Sequence, residues 1–363
     1  MTSEIEQKIP GFRELMAQET ALLLQREGLQ PHQVEPWEDG YRTHDTPNTF
    51  EWWYFDAEFD DGGKAVVVFN TRPQTHPQGP LAPSLVLIMR SPDGEKVKLI
   101  PKFKPEELTA DPARCNVRLG NNHVCGDLDR YELHAEVESY QVDLVFTRQV
   151  PSWRPGAGIN SSGKDHSQYF AWVVPVPYGK VEGTVVFKGQ KRQVRGACYH
   201  DHNWGNVSPG SGIDHWYWGR AHVGDFTLIF VEMVSRHVFG LGALKLHTFL
   251  LARGEEILAE DGVPLALTTS DFIPGPGGRL YPEKLDWQWQ GEGGQVAFSL
   301  RNPTIIESID MLEGTSWWQR PLAQLFSHPH YYNFNADIDL TVDLNGVKTR
   351  QRGRALYELM MQR

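Results

Sequence analysis

The chain is short of cysteine, of surplus positive charge and of long apolar runs, and each shortage removes a class of protein. Only Cys115, Cys125 and Cys198 occur in 363 residues. An odd, sparse count argues against a disulfide framework and for a reducing compartment. Cys115 and Cys125 are expected as free, half-buried thiols. The 35 Lys and Arg face 46 Asp and Glu, a formal net charge of -11. That balance leaves no basic footprint for nucleic acid and no cluster for an anionic lipid surface, and it favours solubility. No stretch approaches the ~18 consecutive apolar residues of a membrane span. The first residues, MTSEIEQKIPGF, start acidic and have no apolar core of a secretory signal. A cytoplasmic location is expected.

Several catalytic signatures are missing as well. The glycine-rich run Gly275-Pro276-Gly277-Gly278 does not lead from a strand into a helix, so it supports no phosphate loop. There is no GxSxG nucleophile elbow and no CxxC pair.

Aromatic residues, by contrast, are plentiful: 12 Trp, 12 Tyr and 17 Phe. Trp at this density packs β cores or lines a pocket for a flat apolar ligand. Residues 11–29 carry helical spacing, with Phe12, Leu15, Met16, Leu22, Leu23 and Leu29 on roughly one stripe and Gly28 near the end, where a terminating glycine is common. A linker punctuated by Pro31 and Pro36 follows. From residue 48 the period becomes two. TFEWWYFDAEF and KAVVVFN flank the turn Asp60-Asp61-Gly62-Gly63, and SLVLIMR and EKVKLI flank SPDG. Further pairs run to IDLTVDL and VKTRQRGRALYELM, joined at Asn345-Gly346, a favoured two-residue hairpin turn. Fifteen or more short strands with turns every 8–12 residues predict an all-β sandwich or barrel architecture. The length suits two antiparallel β-barrels after one short N-terminal helix. The expected domains are residues 1–39, 40–206 and 207–363, with NVSPGSG as the linker.

Four segments carry polar groups of chemical interest. In CYHDHNWG, period two puts Cys198, His200, His202 and Trp204 on one face and Tyr199, Asp201 and Asn203 on the other. Two imidazoles on one face suggest a metal, but a zinc site needs a third ligand and the sequence offers none nearby; no metal is expected. The segment reads either as a capped strand end or as a pocket wall, with Asp201 and His202 as acid–base groups and His200 as a binding group. In DHWYWGR, His215, Tyr217 and Gly219 share one face, and Trp216, Trp218 and Arg220 the other. In DFTLIFVEM, Phe226, Leu228, Phe230 and Glu232 alternate onto one face. A lone carboxylate on such a face is disfavoured as the ion, so Glu232 is the candidate general acid; an outward-facing Glu or an ion pair with Arg220 are the other readings. In EWWYF, Glu51 is the odd residue among barrel-filling aromatics, and Trp52 and Tyr54 are candidate binding residues.

EWWYF at 51–55, YHDHNWG at 199–205 and WYWGR at 216–220 together resemble the carotenoid 1,2-hydratase (hydroxyneurosporene synthase) family and its AttH-like relatives. The same superfamily includes kievitone hydratase and fungal lipocalin-like Diels–Alderases, and tocopherol cyclase is more distantly similar. The resemblance runs from residue 48 to the end of the chain. It implies two lipocalin-like barrels, an apolar small-molecule substrate, and neither metal nor organic cofactor. It also implies that His202 and Trp204 are active-site residues. Phe230 and Glu232 stand about where the family has a Tyr and an Asp. The expected site is therefore Glu232, His202 and Asp201 for chemistry, with Trp204, Tyr217, Trp218, Phe230, Trp52, Tyr54 and His200 around the substrate. The expected activity is water addition to an alkene of an isoprenoid-like or other natural product, by protonation and water capture. A Diels–Alderase-like cyclase and a non-catalytic apolar-ligand binder are the alternatives.

Overall fold

A computed structural model describes the chain apart from residues 1–4, 6–7, 45, 75–76, 163–166, 209–211, 239–240, 311–328 and 363, and the side chain of Ser162. Part of the NVSPGSG linker falls outside the described residues. The chain folds as two compact units. The first unit is Glu19–Pro209, and the second joins Met1–Gln18 to Gly210–Arg363.

The first unit holds a 12-stranded antiparallel sheet. Its order is Lys96–Leu99, Ser84–Arg90, Lys64–Asn70, Phe50–Phe59, Gln190–Gly205, Gln168–Phe187, Tyr140–Arg148, Arg130–Val137, Asn122–Gly126, Asn116–Leu119 and Leu108–Ala110, with Ile159–Ser162 paired to Gln168–Phe187. Three strand spacings separate Phe55 from Phe146 along this path. A flat sheet would hold those strands about 14 Å apart, yet the two ring centroids are 5.7 Å apart. The sheet therefore curls about its apolar face as a barrel wall. That inner face includes Trp53, Phe55, Leu87, Leu119, Leu144 and Val185, all buried.

The second unit repeats the scheme with nine strands, ordered Glu256–Ala259, Lys245–Arg253, Phe226–Ser235, Ile213–Val223, Val347–Met361, His330–Leu344, Gly294–Asp310, Leu280–Gly291 and Leu265–Pro274. Five spacings lie between the strands of Phe230 and Trp287, about 24 Å if flat, and their rings are 5.1 Å apart. In both units a meander of hairpins is joined to itself by one long-range pairing: Phe50–Phe59 with Gln190–Gly205, and Ile213–Val223 with Val347–Met361.

The hairpins read from turn chemistry are present. Asn345 and Gly346 have φ of 51° and 81°, the left-handed pair that the two-residue turn between Leu344 and Val347 requires. Five strands carried no clear sequence signal: Leu108–Ala110, Asn116–Leu119, Asn122–Gly126, Ile159–Ser162 and Leu265–Pro274. All but the last are too short to establish a period. The helix spans Phe12–Glu27 and ends at Gly28 with φ 70°, but the apolar stripe expected on it does not form a buried face. Leu23 is buried, whereas Leu15, Met16 and Leu22 are exposed. Among the described residues, no helix is long and apolar enough to cross a membrane.

Candidate functional site

In the first unit the motif strand Gln190–Gly205 pairs with Phe50–Phe59, so that Trp53 lies opposite His202, Phe55 opposite His200 and Glu51 opposite Trp204. Alternation turns these six side chains inward. The His202 ring stacks on Trp53 at 4.6 Å and meets Trp204 at 4.9 Å. Its Nε2 is 2.8 Å from Glu51 Oε1. The Glu51 carboxylate, fully buried, also accepts the Arg42 and Thr43 backbone N–H groups, each at 2.8 Å. The odd carboxylate of EWWYF is thus the anchor of the second motif histidine. His200 stacks on Phe55 at 3.9 Å and reaches Asp39, which the short 3-10 helix Pro36–Asp39 carries into the core. Tyr131 donates its hydroxyl to Asp39 Oδ2 at 2.6 Å. Burial, then the nearby Asp39 charge, pushes both the Tyr131 phenol and the Cys115 thiol well above their ordinary ranges. No disulfide joins Cys115, Cys125 or Cys198, and Cys115 is fully buried rather than half-buried.

A cleft of about 450 Å³ opens beside Trp204, lined also by Trp37, Tyr169, Val173, Glu38 and Arg154. Glu38 and Arg154 form an ion pair at 3.3 Å, both almost fully buried. Burial raises the Glu38 carboxyl, with Arg154 opposing it.

Trp52, Tyr54 and Asp201 lie on the other face of the same sheet. Asp201 accepts bonds there from Tyr199 at 2.8 Å, Asn203 at 2.9 Å and the Trp172 indole at 3.2 Å. Tyr54 donates to Asp56 at 3.0 Å, and Trp52 stacks on Phe50. The expected residues of this unit therefore form two groups on opposite faces: His200, His202 and Trp204 inside, Trp52, Tyr54 and Asp201 outside.

In the second unit Tyr217, Glu232 and His247 form one row across three strands, Tyr217 opposite Glu232 and Glu232 opposite His247. Glu232 is 3% exposed. It is not the unpartnered carboxylate that alternation with Phe226, Leu228 and Phe230 suggests. His247 Nε2 is 2.9 Å from its Oε2, and Lys245 Nζ approaches to 4.0 Å, because both lie in phase on the neighbouring strand. Burial, then the Glu232 charge, pushes the Tyr217 phenol up, which keeps it a hydrogen-bond donor. Tyr217, Glu232 and Lys245 line a pocket of about 360 Å³ whose other walls include Asp214, His215, Leu267, Phe272, Arg279 and Leu359, with His247 behind Glu232. Phe230 is fully buried between Trp287 and Phe298 and packs the core. Trp218 turns outward, half-buried.

Sequence reasoning missed His247, Asp39 and Cys115. His247 had a signal, since it alternates in phase with Phe249 and Leu251 in KLHTFLL. Asp39 and Cys115 had none, because only the fold brings them to the motif strand.

Comparisons with known proteins agree with this architecture. A Diels-Alderase-like family model matches residues 123–274. A hydroxyneurosporene dehydrogenase from Chlorobaculum tepidum is 28% identical over 225 residues, 53% of this chain and 58% of that protein. The match thus spans little more than half the length of that curated relative. Three solved structures share the fold at low identity. A putative AttH from Nitrosomonas europaea has a TM-score of 0.57 at 16% identity, over 90% of this chain and 96% of its own. CghA with Sch210972 has 0.59 at 14%, over 91% and 96%. Kievitone hydratase from Nectria haematococca has 0.53 at 14%, over 91% and 98%. The family model, the curated relative and the solved folds are thus similarities to the same group of proteins that the sequence motifs resemble.

Proposed function

We propose that this protein is a hydratase that adds water to an alkene of an apolar natural product, with Glu232 and His247 as its acid–base pair. The observation that carries this reading is the buried Glu232–His247 contact at 2.9 Å, with Glu232 on the wall of a pocket where Leu267, Phe272 and Leu359 stand beside the polar groups of Tyr217, Lys245 and Arg279. A proton between the two atoms passes from the pair to one alkene carbon and leaves a carbocation on the other. Water bonds to that carbon, and the proton it sheds returns to the pair. The net change is alkene plus water to alcohol, and the pair is regenerated. The Tyr217 ring and hydroxyl border the same pocket; an aromatic face contributes ~0.5–2 kcal/mol to a cation beside it, and the phenol can orient the water. In the first unit, Trp204 forms part of the cleft wall with His202 beneath it as its support, and Asp201, held by three donors, serves the sheet.

The relatives favour this chemistry and also its rival. Kievitone hydratase bears the activity in its name, whereas the curated relative is named a hydroxyneurosporene dehydrogenase. The family description, Diels-Alderase-like, favours a cyclase that needs only a shaped cavity and one donor. Incubation with neurosporene and related polyenes in ¹⁸O-labelled water separates them. A hydratase yields an alcohol carrying the label, and Glu232→Gln, which keeps the shape and loses the acid, lowers kcat by about 10²–10⁴-fold. An unlabelled isomer of unchanged mass, formed equally by Glu232→Gln, would establish the cyclase instead.

A further inference from the structure

Besides His215, four charged side chains line the pocket of the second unit: Asp214, Glu232, Lys245 and Arg279. Three of them are matched. Asp214 Oδ2 is 2.8 Å from His215 Nδ1. Glu232 is 2.9 Å from His247 and 4.0 Å from Lys245. Arg279 has no such match. Among the described residues it makes no ion pair, and its guanidinium donates only to the Met361 sulfur, at 3.9 Å. A thioether is a weak acceptor, whereas a guanidinium offers five donors in a planar fork. The backbone that carries this fork is held in place. Gly275–Arg279 turns between the strands Leu265–Pro274 and Leu280–Gly291. The Gly275 N–H donates to the Arg279 carbonyl at 2.8 Å, and Tyr332 donates its hydroxyl to the Pro276 carbonyl at 2.5 Å. Gly277 and Gly278 take φ of 75° and 74°, which favours glycine. Apolar surface stands on the same walls. Leu267 is buried, while Phe272 and Leu280 are 53% and 55% exposed. A positioned fork with no oxygen to hold, beside apolar walls, is the arrangement that receives an amphipathic acid.

We propose that the substrate of this pocket is an unsaturated carboxylic acid of isoprenoid type, and that Arg279 selects it by binding its carboxylate. The fork meets both oxygens of one planar carboxylate. The apolar chain then lies along Leu267, Phe272, Leu280 and Leu359, and its alkene comes against the Glu232–His247 pair. Charge favours a carboxylate over a diphosphate. Asp214 and Glu232 stand in the same pocket, and a multiply charged group would meet both with Arg279 alone unengaged. A neutral ester or alcohol is rejected because it leaves the guanidinium desolvated without an anionic partner. The position of the alkene rests on the hydratase reading above; the binding of the acid does not.

The test titrates the full chain calorimetrically at neutral pH with geranic acid, methyl geranate, geraniol and geranyl diphosphate. The acid should bind, and the ester and alcohol should bind about 10–100-fold more weakly, the usual loss for a charged hydrogen-bond partner. Arg279→Met, of similar length, should weaken the acid by about the same factor and leave the ester unchanged. Arg279→Lys, which keeps the charge and loses the fork, should fall between wild type and Arg279→Met. Glu232→Gln should still bind the acid while losing water addition in ¹⁸O-labelled water. Acid-selective binding by wild type with no labelled product would sink the hydratase reading and leave this one standing. Equal wild-type affinity for acid and ester would overturn it, whatever the folding of the variants. So would a diphosphate that binds more tightly than the acid, an unchanged acid affinity in folded Arg279→Met, or no binding of any of the four compounds.

Discussion

Gly219 shows how one residue's size is set by its cross-strand neighbour. A Cβ at this position would come within 2.4 Å of the Phe230 ring and 2.9 Å of Tyr357 Cβ. Phe230 has no room to withdraw, since Trp287 and Phe298 press on its other side. Gly219→Ala is therefore expected to cost about 1–3 kcal/mol by overpacking. It should appear as a lower urea midpoint with unchanged slope, partly recovered when Phe230→Leu is added. A midpoint equal to wild type would mean that the barrel adjusts around the methyl. At the same scale, the odd glutamates in two aromatic-rich strands prove to be paired ones: Glu51 with His202 and Glu232 with His247. Their oddness was legible in the sequence, and their partners were not.

At the scale of the element, the hairpin of His330–Leu344 and Val347–Met361 carries its own electrostatics. Asp339 accepts two bonds from Arg350 at 2.6 Å and one from Arg352 at 2.9 Å. The Arg350 bonds, then those of Arg352, hold its carboxyl down at about 2. A depressed folded-state pKa gives stability that is fully present above the unfolded value of ~3.9 and is lost as pH falls through about 2. Asp339→Asn should thus lower Tm only slightly at neutral pH, because the arginines are largely exposed and the pair is screened by solvent, and should match wild type once the pH is below about 2. A deficit that persists at that pH, or one that ignores added salt, would point to packing instead. The hairpin itself follows from alternation and from Asn345-Gly346, both local properties of the chain.

For the whole molecule, the first unit owns its core. The buried cluster from Tyr41 to Cys198 draws on residues 41–198 alone. A chain of residues 19–209 is accordingly expected to fold by itself, with a cooperative thermal transition and dispersed amide signals. A molten or aggregated product would show that its sheet depends on the rest of the chain. The corresponding experiment on the second unit needs two pieces, because Met1–Gln18 groups with Gly210–Arg363. Within that unit Lys8 Nζ donates to the Ala243 carbonyl at 2.8 Å, and Arg13 pairs with Asp261 at 3.4 Å.

Period-two patterning and turn residues, which act between neighbours in the chain, determined the all-β class, most hairpins and the inward face of CYHDHNWG. The same local rules put Glu232 in phase with Phe226, Leu228 and Phe230, and Glu51 in phase with Trp53 and Phe55. Only the tertiary structure decided what lies opposite them. The pairings of Phe50–Phe59 with Gln190–Gly205 and of Ile213–Val223 with Val347–Met361 join strands more than a hundred residues apart in the chain, and no short-range preference encodes them. Those pairings place His202 beside Glu51 and help to close each barrel. Closure and the Pro36–Asp39 turn bring Asp39 and Cys115 against His200. A buried polar group must find a partner once water is removed; which partner it finds is a property of the closed barrel and not of the strand that carries it.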